Sequence, residues 1–274
     1  MTPSAGGYRS DMSERGAARM PDSIKAALFD MDGVLTDTAV IHFAAWKRTF
    51  DVVLEDIARR DRTIPADSVR PFDEDDYRRY VDGRPRADGV RTFLEGRRLR
   101  LPEGQPGERA GTGSVEAVAA MKDQAFQARL RDGVAAFPDA AALLRDLAEA
   151  GIACAVVTAS AHASGVLVAA GLASADDTPF AAVVDGVVAR ADRLAGKPAP
   201  DTYLAAAERL GVRPDAAAVF DDAISGVQAG RAGGFGWVVG VDRDPHEDGA
   251  QERTMRELGA AAVVRSLAEV RLPA

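Results

Sequence analysis

The chain has 274 residues and a formal net charge of −8, with 34 Lys and Arg against 42 Asp and Glu. That length can bury a full core in one large domain or two unequal ones, and the acidic balance leaves no basic field to hold nucleic acid or an anionic membrane. No apolar run approaches the roughly 20 residues that span a bilayer, no signal-peptide core opens the chain, and the single Cys154 cannot close an internal disulfide, so a cytoplasmic protein, monomer or weak homodimer, is expected.

Residues 1 to about 20 are rich in Gly, Ser, Arg and Ala without apolar periodicity, which predicts a disordered N-terminal tail over 1–20. Lys25 to Phe29 reads as a buried strand of a parallel sheet that stops abruptly at Asp30 and Asp32, and Gly33 then permits a tight turn. Thr38 is placed to cap a helix whose apolar stripe runs through Trp46, Phe50, Val53, Leu54 and Ile57. A charged, Pro-containing connection extends from Arg59 to about Asp76. Helical patterns then occupy Val90 to Arg97 and Val115 to Leu130, split by a Gly/Pro-rich loop over 101–113.

From Phe137 the pattern changes. Pro138 to Ala150 reads as a helix closed by Gly151, and Ile152 to Val157 as a strand ending at Thr158, with Cys154 a small core residue inside it. Ala182 to Val188 predicts a short hairpin turned at Asp185-Gly186. Next come a helix over Asp201 to Leu210, a strand over Ala216 to Phe220 ending in Asp221-Asp222, and a helix over Ser225 to Ala232. Trp237 to Val241 and Ala260 to Val264 supply further strands. Alternating strands and helices argue for an α/β fold with a parallel sheet, into which the helical middle region is inserted after the first strand.

Ligands of open parallel sheets bind beyond the carboxyl ends of the strands, where Asp30, Asp32, Thr158, Asp221 and Asp222 fall. Of two such acids, one can attack phosphorus while the other handles the proton on the leaving oxygen. Carboxylates converging on one edge repel unless a hard divalent cation lies between them, and Mg²⁺ suits oxygen ligands. A hydroxyl (Thr158) and an ammonium (Lys197, before a helix) could hold phosphoryl oxygens. Singly, each is also what an acidic turn, a strand end, a loop lysine or a helix cap looks like; their joint occurrence points to a site. Lys25, Lys47, Lys122 and Lys197 are the four lysines and Asn is absent, the mark of GC-rich codon drift. Where drift replaces Lys by Arg wherever Arg will serve, the survivors become candidates for compact point charges.

Asp30-Met31-Asp32-Gly33-Val34, Thr158, Lys197-Pro198 and Asp221-Asp222 with Gly226, in this order, resemble the haloacid dehalogenase superfamily, from Ala26 to the C-terminus. The resemblance implies a Rossmann-like core over 21–37 and 136–274 and a helical cap domain over 38–135. It also implies an aspartyl-phosphate on Asp30, Asp32 as general acid/base, and phosphate contacts from Thr158, Ser160 and Lys197. Mg²⁺ would be held by Asp30, the Asp32 carbonyl, and Asp221 or Asp222. A finer resemblance, to the β-phosphoglucomutase-like subgroup, lies in Thr36-Asp37-Thr38, His42, Trp46 and Lys47, and implies that His42 touches Asp32 and couples cap closure to substrate. Val81-Asp82-Gly83-Arg84-Pro85-Arg86 is similar to that subgroup's distal-phosphate segment, assigning Gly83 and Arg86 (Arg84 as rival), with Lys122, to substrate binding.

The resemblance thus implies a phosphomutase acting on a small-molecule sugar phosphate, interconverting β-glucose 1-phosphate and glucose 6-phosphate. The alternatives are a Mg-dependent sugar-phosphate phosphatase and a non-catalytic sugar-phosphate sensor. The chain also departs from the resemblance. Asp123 stands where Asn is frequent, Ser160-Ala161-His162 where Ser-Lys-Asn is, and Asp221 where Glu is common; the cap is lengthened around 59–76 and 101–113.

Overall fold

The computed structural model describes residues 17–130, 133–174, 177–243 and 249–273. Its first strand, β1 (Ala18–Arg19), pairs in parallel with β8 (Val270–Arg271) near the C-terminus. This corrects the predicted tail at its end: Met20 donates its N–H to the Arg271 carbonyl at 2.9 Å and is fully buried in the core. One apolar side chain with a hole to fill tethers a segment whose composition reads as tail; residues 1–16 of that prediction lie outside the described residues.

The main sheet contains β2 (Ala26–Phe29), β3 (Ala153–Val157), β4 (Phe180–Val184), β5 (Ala217–Asp221), β6 (Trp237–Val241) and β7 (Ala262–Val264). All pairings are parallel, in the order β4-β3-β2-β5-β6-β7. Period-two alternation gives the sheet two apolar faces. Ala27 and Phe29 join one cluster with Leu143, Leu144 and Val166, while Ala26 and Leu28 join the other with Tyr203, Val227 and Met255. Cys154 lies in the first cluster, and burial pushes its thiol up to about 12.

The predicted hairpin at Asp185-Gly186 is not formed. β4 runs parallel to β3, and Asp185 instead caps a helix, accepting from the N–H groups of Val187 (3.0 Å) and Val188 (2.9 Å). Asp-Gly serves a turn and a helix start equally well, and the pairing available to the preceding strand decides between them.

After β2 the chain leaves the sheet for α1 (Ala39–Arg60), α2 (Glu74–Asp76), α3 (Arg86–Gly96) and α4 (Val115–Leu130), then returns into α5 (Pro138–Glu149). These helices carry their own aromatic cluster, with ring centroids 4.9 Å apart for Trp46–Phe50 and 4.0 Å for Phe50–Phe93. Beneath it Arg97 bonds the buried Asp76 through Nη2 (2.5 Å) and Nε (3.2 Å). The outgoing and returning segments pair with each other: Asp37 N–H donates to Ala135 O and Phe137 N–H to Leu35 O, both at 3.0 Å. Thr38 occupies the cap position of α1, but its hydroxyl makes no capping bond and turns toward Asp32.

Candidate active site

Strands β3 and β4 lie to one side of β2, and β5, β6 and β7 to the other, so the direction of winding reverses beside β2. A crevice forms at such a reversal, beyond the carboxyl ends of the strands. Parallel register aligns Phe29 with Phe220, which sets Asp30 beside Asp221. Lys197 reaches between these acids: its ammonium bonds Asp30 Oδ1 and, at 2.7 Å, Asp221 Oδ2. Tyr203 Oη donates to the same Asp221 oxygen at 2.5 Å, and Ala223 N–H to Oδ1 at 2.9 Å. Burial disfavours the Lys197 charge, but Asp221 and Asp30 outweigh it and hold the ammonium well above its ordinary value. Burial also drives Asp30 well above the usual carboxylate range, against Lys197.

Asp32 is the second acid. Thr38 Oγ1 donates to its Oδ1, and Thr158 Oγ1 donates to Oδ2 at 3.2 Å. His42 Nε2 lies 3.3 Å from Oδ1, in ion-pair range but off the line of a hydrogen bond. Burial alone would raise the Asp32 pKa; His42, Thr38 and Lys122 outweigh it and hold it at about 2. Behind His42, Lys122 Nζ is 2.7 Å from Nδ1 and 4.7 Å from the centre of the Phe126 ring. Burial, then the nearby Arg86, lowers Lys122 to about 7, and burial and Lys122 lower His42. Of the four lysines, Lys122 and Lys197 are buried here, whereas Lys25 bonds the Asp22 carbonyl and Lys47 bonds Asp51.

Of the residues expected at the metal (Asp30, Asp32, and Asp221 or Asp222), Asp221 is turned to another task. Both oxygens of Asp221 are taken by Lys197, Tyr203 and Ala223 N–H, so Asp221 orients the ammonium rather than facing a cation. Among the described residues no three His, Cys, Asp or Glu side chains form a ready metal cage. Mg²⁺ needs less than a cage, usually one or two carboxylates with waters and a phosphate oxygen. Asp30 and Asp222 meet that demand. No hydrogen bond to the Asp222 carboxyl occurs among the described residues, and burial together with Asp82 and Asp30 pushes it well above its ordinary value. An acid so disfavoured, offset only in part by Lys197, fits a cation. A Cβ on Gly33 (φ +77°) would come within 1.8 Å of Asp222 Oδ2, and one on Gly226 within 1.7 Å of Asp221 Oδ2. Both glycines therefore make room for acids.

The cap completes the site with charge of both signs. Asp82 follows a single π-helical turn over Tyr77–Val81 and lies half-buried against Tyr77, with its pKa raised by desolvation to about 6. Gly83 (φ +67°) lines the chamber; a Cβ there would meet Ser225 Oγ at 2.5 Å, so it lets the cap loop close onto the core. Arg86 opens α3 and is ion-paired to Asp123, not exposed to the chamber as a bare guanidinium. His162 Nε2 lies 2.8 Å from Asp123 Oδ1. Ser160 Oγ accepts from His162 N–H at 3.2 Å at the same edge. Asp30, Asp32, His42, Lys122, Ser160 and Asp222 surround a chamber of about 60 Å³. Outside it a cleft of about 890 Å³ opens between cap and core, reaching Lys197.

Sequence reasoning did not anticipate Tyr203, Tyr77 or Arg243 in this neighbourhood, and it placed Asp82 within the cap segment without giving it a role. Tyr203, Tyr77 and Arg243 stand in ordinary helical or strand-end positions, and only packing brings them in. Among the described residues no helix is long and apolar enough to cross a membrane.

The likeness of this chain to known proteins agrees with that geometry. A family model described as haloacid dehalogenase-like hydrolase matches residues 24–234. The β-phosphoglucomutase of Mycobacterium tuberculosis is 45% identical over 254 residues, covering 92% of this chain and 93% of the relative. That of Bacillus subtilis is 30% identical over 258 residues, covering 91% and 92%. A solved β-phosphoglucomutase from Clostridium difficile shares the fold with a TM-score of 0.69 at 22% identity, over 90% of this chain and 93% of that one. The chain belongs to the haloacid dehalogenase-like hydrolase family and is an enzyme.

Proposed function

We propose that the enzyme is a β-phosphoglucomutase-type phosphomutase of the cytoplasm, interconverting β-glucose 1-phosphate and glucose 6-phosphate. The observation that carries this reading is one chamber that brings together the buried Asp30, Asp32 with its pKa held low by His42, Thr38 and Lys122, and the His42–Lys122 pair. Relatives with that name at 45% and 30% identity support it. Asp30 and Asp222 with the Asp32 carbonyl would hold Mg²⁺, which supplies positive charge to the transferring phosphoryl group.

Starting from phosphorylated Asp30, Asp32 takes the proton of the sugar 6-hydroxyl as that oxygen attacks phosphorus and the Asp30–phosphorus bond breaks. An ionised Asp32 suits this half-reaction. The bisphosphate then turns around, Asp30 attacks the phosphorus at C1, and the protonated Asp32 returns its proton to the departing C1 oxygen. Lys197 and Thr158 hold phosphoryl oxygens, and Arg86 with Ser160 holds the phosphate that is not reacting. Cap helices over 38–135 close on the core over 21–37 and 136–274, keeping water from the aspartyl-phosphate.

A second reading, a phosphatase for a small sugar phosphate, is favoured by two features: Asp123 already occupies Arg86, and Ala161 offers no second ammonium. The deciding assay supplies Mg²⁺, β-glucose 1-phosphate and a trace of glucose 1,6-bisphosphate, and follows glucose 6-phosphate and inorganic phosphate in parallel. Rapid, bisphosphate-dependent glucose 6-phosphate with little free phosphate is expected. Free phosphate as the main product would replace the mutase by the phosphatase.

A further inference from the structure

The cleft and the chamber share a wall. Gly83, Arg84, Arg86, Asp123, Thr158 and Ala159 line both spaces. In that wall Asp123, on α4, is ion-paired to Arg86 at the start of α3. It also accepts from His162 Nε2 in the core loop after β3 and from Gln127 Nε2, each at 2.8 Å. A single carboxylate thus fastens two cap helices to the core and neutralises the guanidinium. Burial would raise the Asp123 pKa, but His162 and Arg86 outweigh it and keep the group ionised.

The phosphoryl-transfer steps make no use of Asp123, yet no ligand can ignore it. A chamber of about 60 Å³ is far below the roughly 300 Å³ of the smallest ordinary ligand pockets. A sugar phosphate at Asp30 therefore extends along this shared wall toward the cleft. An anionic group can take the place of Asp123 on Arg86, but it must then sit beside the displaced carboxylate, and like charges repel. A neutral hydroxyl meets no such repulsion. Discrimination by a misplaced like charge is a general device of selective sites.

Taking the sugar-phosphate reading for the class of ligand, we propose that Asp123 is a specificity-determining residue, an internal anion that competes with the second phosphate of a bisphosphorylated ligand for Arg86 and His162. In the unphosphorylated chain a monophosphorylated ligand can seat its one phosphate at Lys197 and Thr158 and leave a hydroxyl at the wall, and in that orientation it escapes the competition. The wall then loosens for a bisphosphate only at a cost in affinity, which favours its turnaround or release over tight retention.

The test is calorimetric titration of the full chain with Mg²⁺ in the Asp30→Asn background, which blocks turnover, with and without Asp123→Asn. Asn keeps the shape and removes the charge; Asp123→Ser serves as a second variant should Asn disturb folding. The expected result is about tenfold tighter glucose 1,6-bisphosphate, with glucose 6-phosphate changed by less than about twofold. Inorganic phosphate, the probe that assumes no sugar, should gain a second site per chain. Equal shifts for both sugar ligands, or weaker bisphosphate binding, would overturn the proposal and reduce Asp123 to a support for Arg86. A second phosphate site without any sugar-phosphate binding would sink the sugar-phosphate reading and leave the competition standing. Sugar-phosphate binding with phosphate stoichiometry unchanged would do the reverse.

Discussion

Arg243 Nε donates to the carbonyl of Gly33 at 3.0 Å, joining the end of β6 to the turn that follows Asp30 and Asp32. The same guanidinium donates to Val34 O and to Asp139 Oδ2, each at 2.8 Å, and lies 3.7 Å from the centre of the Phe137 ring. Asp139 in turn accepts from Ser266 Oγ and Leu267 N–H. One planar fork thus fixes the segment leaving the core and the segment returning to it. Arg243→Lys keeps the charge but cannot span three acceptors. It should lower kcat about tenfold with KM nearly unchanged, and Arg243→Ala should also cost about 2 kcal/mol in urea denaturation. Unchanged kcat in both variants would separate this clamp from the chemistry.

Asp30→Asn should abolish turnover, by at least about a thousandfold, while the fold survives. Lys197 keeps Asp221 at 2.7 Å, so its buried ammonium is not left unpaired, and a carboxyl already disfavoured by burial loses its charge. Steady-state kinetics and a thermal melt check both halves; a melting temperature lowered by more than about 10 °C would mean that Asp30 is structural as well.

Lys122 makes stability depend on pH in a definite direction. Burial lowers its pKa from the ordinary 10.5 to about 7. Below about pH 7 the amine is charged in both folded and unfolded chains, and the folded state bears the full cost of burying the charge. Between 7 and 10.5 only the unfolded chain keeps the proton, so the contribution of Lys122 to folding stability improves as pH rises through that window. Lys122→Met should be more stable than the parent near pH 6.5 by about 1–2 kcal/mol, with the advantage shrinking toward pH 9. Urea denaturation at both pH values decides it, and an advantage independent of pH would show that the amine is not desolvated.

The cap has its own weak point in Arg97 and Asp76, which are 6% and 2% exposed. Besides the paired acid, Arg97 donates to the carbonyls of Asp67, Arg70 and Pro71 at 3.2, 3.2 and 3.4 Å. Arg97→Leu leaves a buried carboxylate and several carbonyls short of a donor, a loss of about 3–5 kcal/mol. Trp46 lies in the cap cluster and Trp237 in the sheet, so Trp237→Phe isolates the cap signal. In that background Arg97→Leu should lower the denaturant midpoint of Trp46 fluorescence; an unmoved midpoint would contradict the assignment.

Much of the core is legible in the sequence because its signals are local. Apolar runs bounded by Asp, Thr or Gly mark β2, β3 and β5, and a parallel sheet buried on both faces demands such runs. Asp30, Asp32, Thr158, Lys197 and Asp222 can be nominated because each ends a strand or begins a helix, where the chain itself delivers polar groups to one edge. The Asp185-Gly186 turn, the reach of the tail and the Thr38 cap cannot be read that way, since each depends on which neighbour the segment finds. Sequence alone therefore determined the type of sheet, the insertion after its first strand and the acids at its edge, all consequences of patterning within a few residues. The tertiary structure decided that Lys197 separates Asp30 from Asp221, that Asp123 neutralises Arg86, and that Arg243 clamps the segments leaving and re-entering the core. Those are long-range electrostatic and hydrogen-bond pairings, set by which charges the packed elements bring within about 3 Å of one another and shield from water.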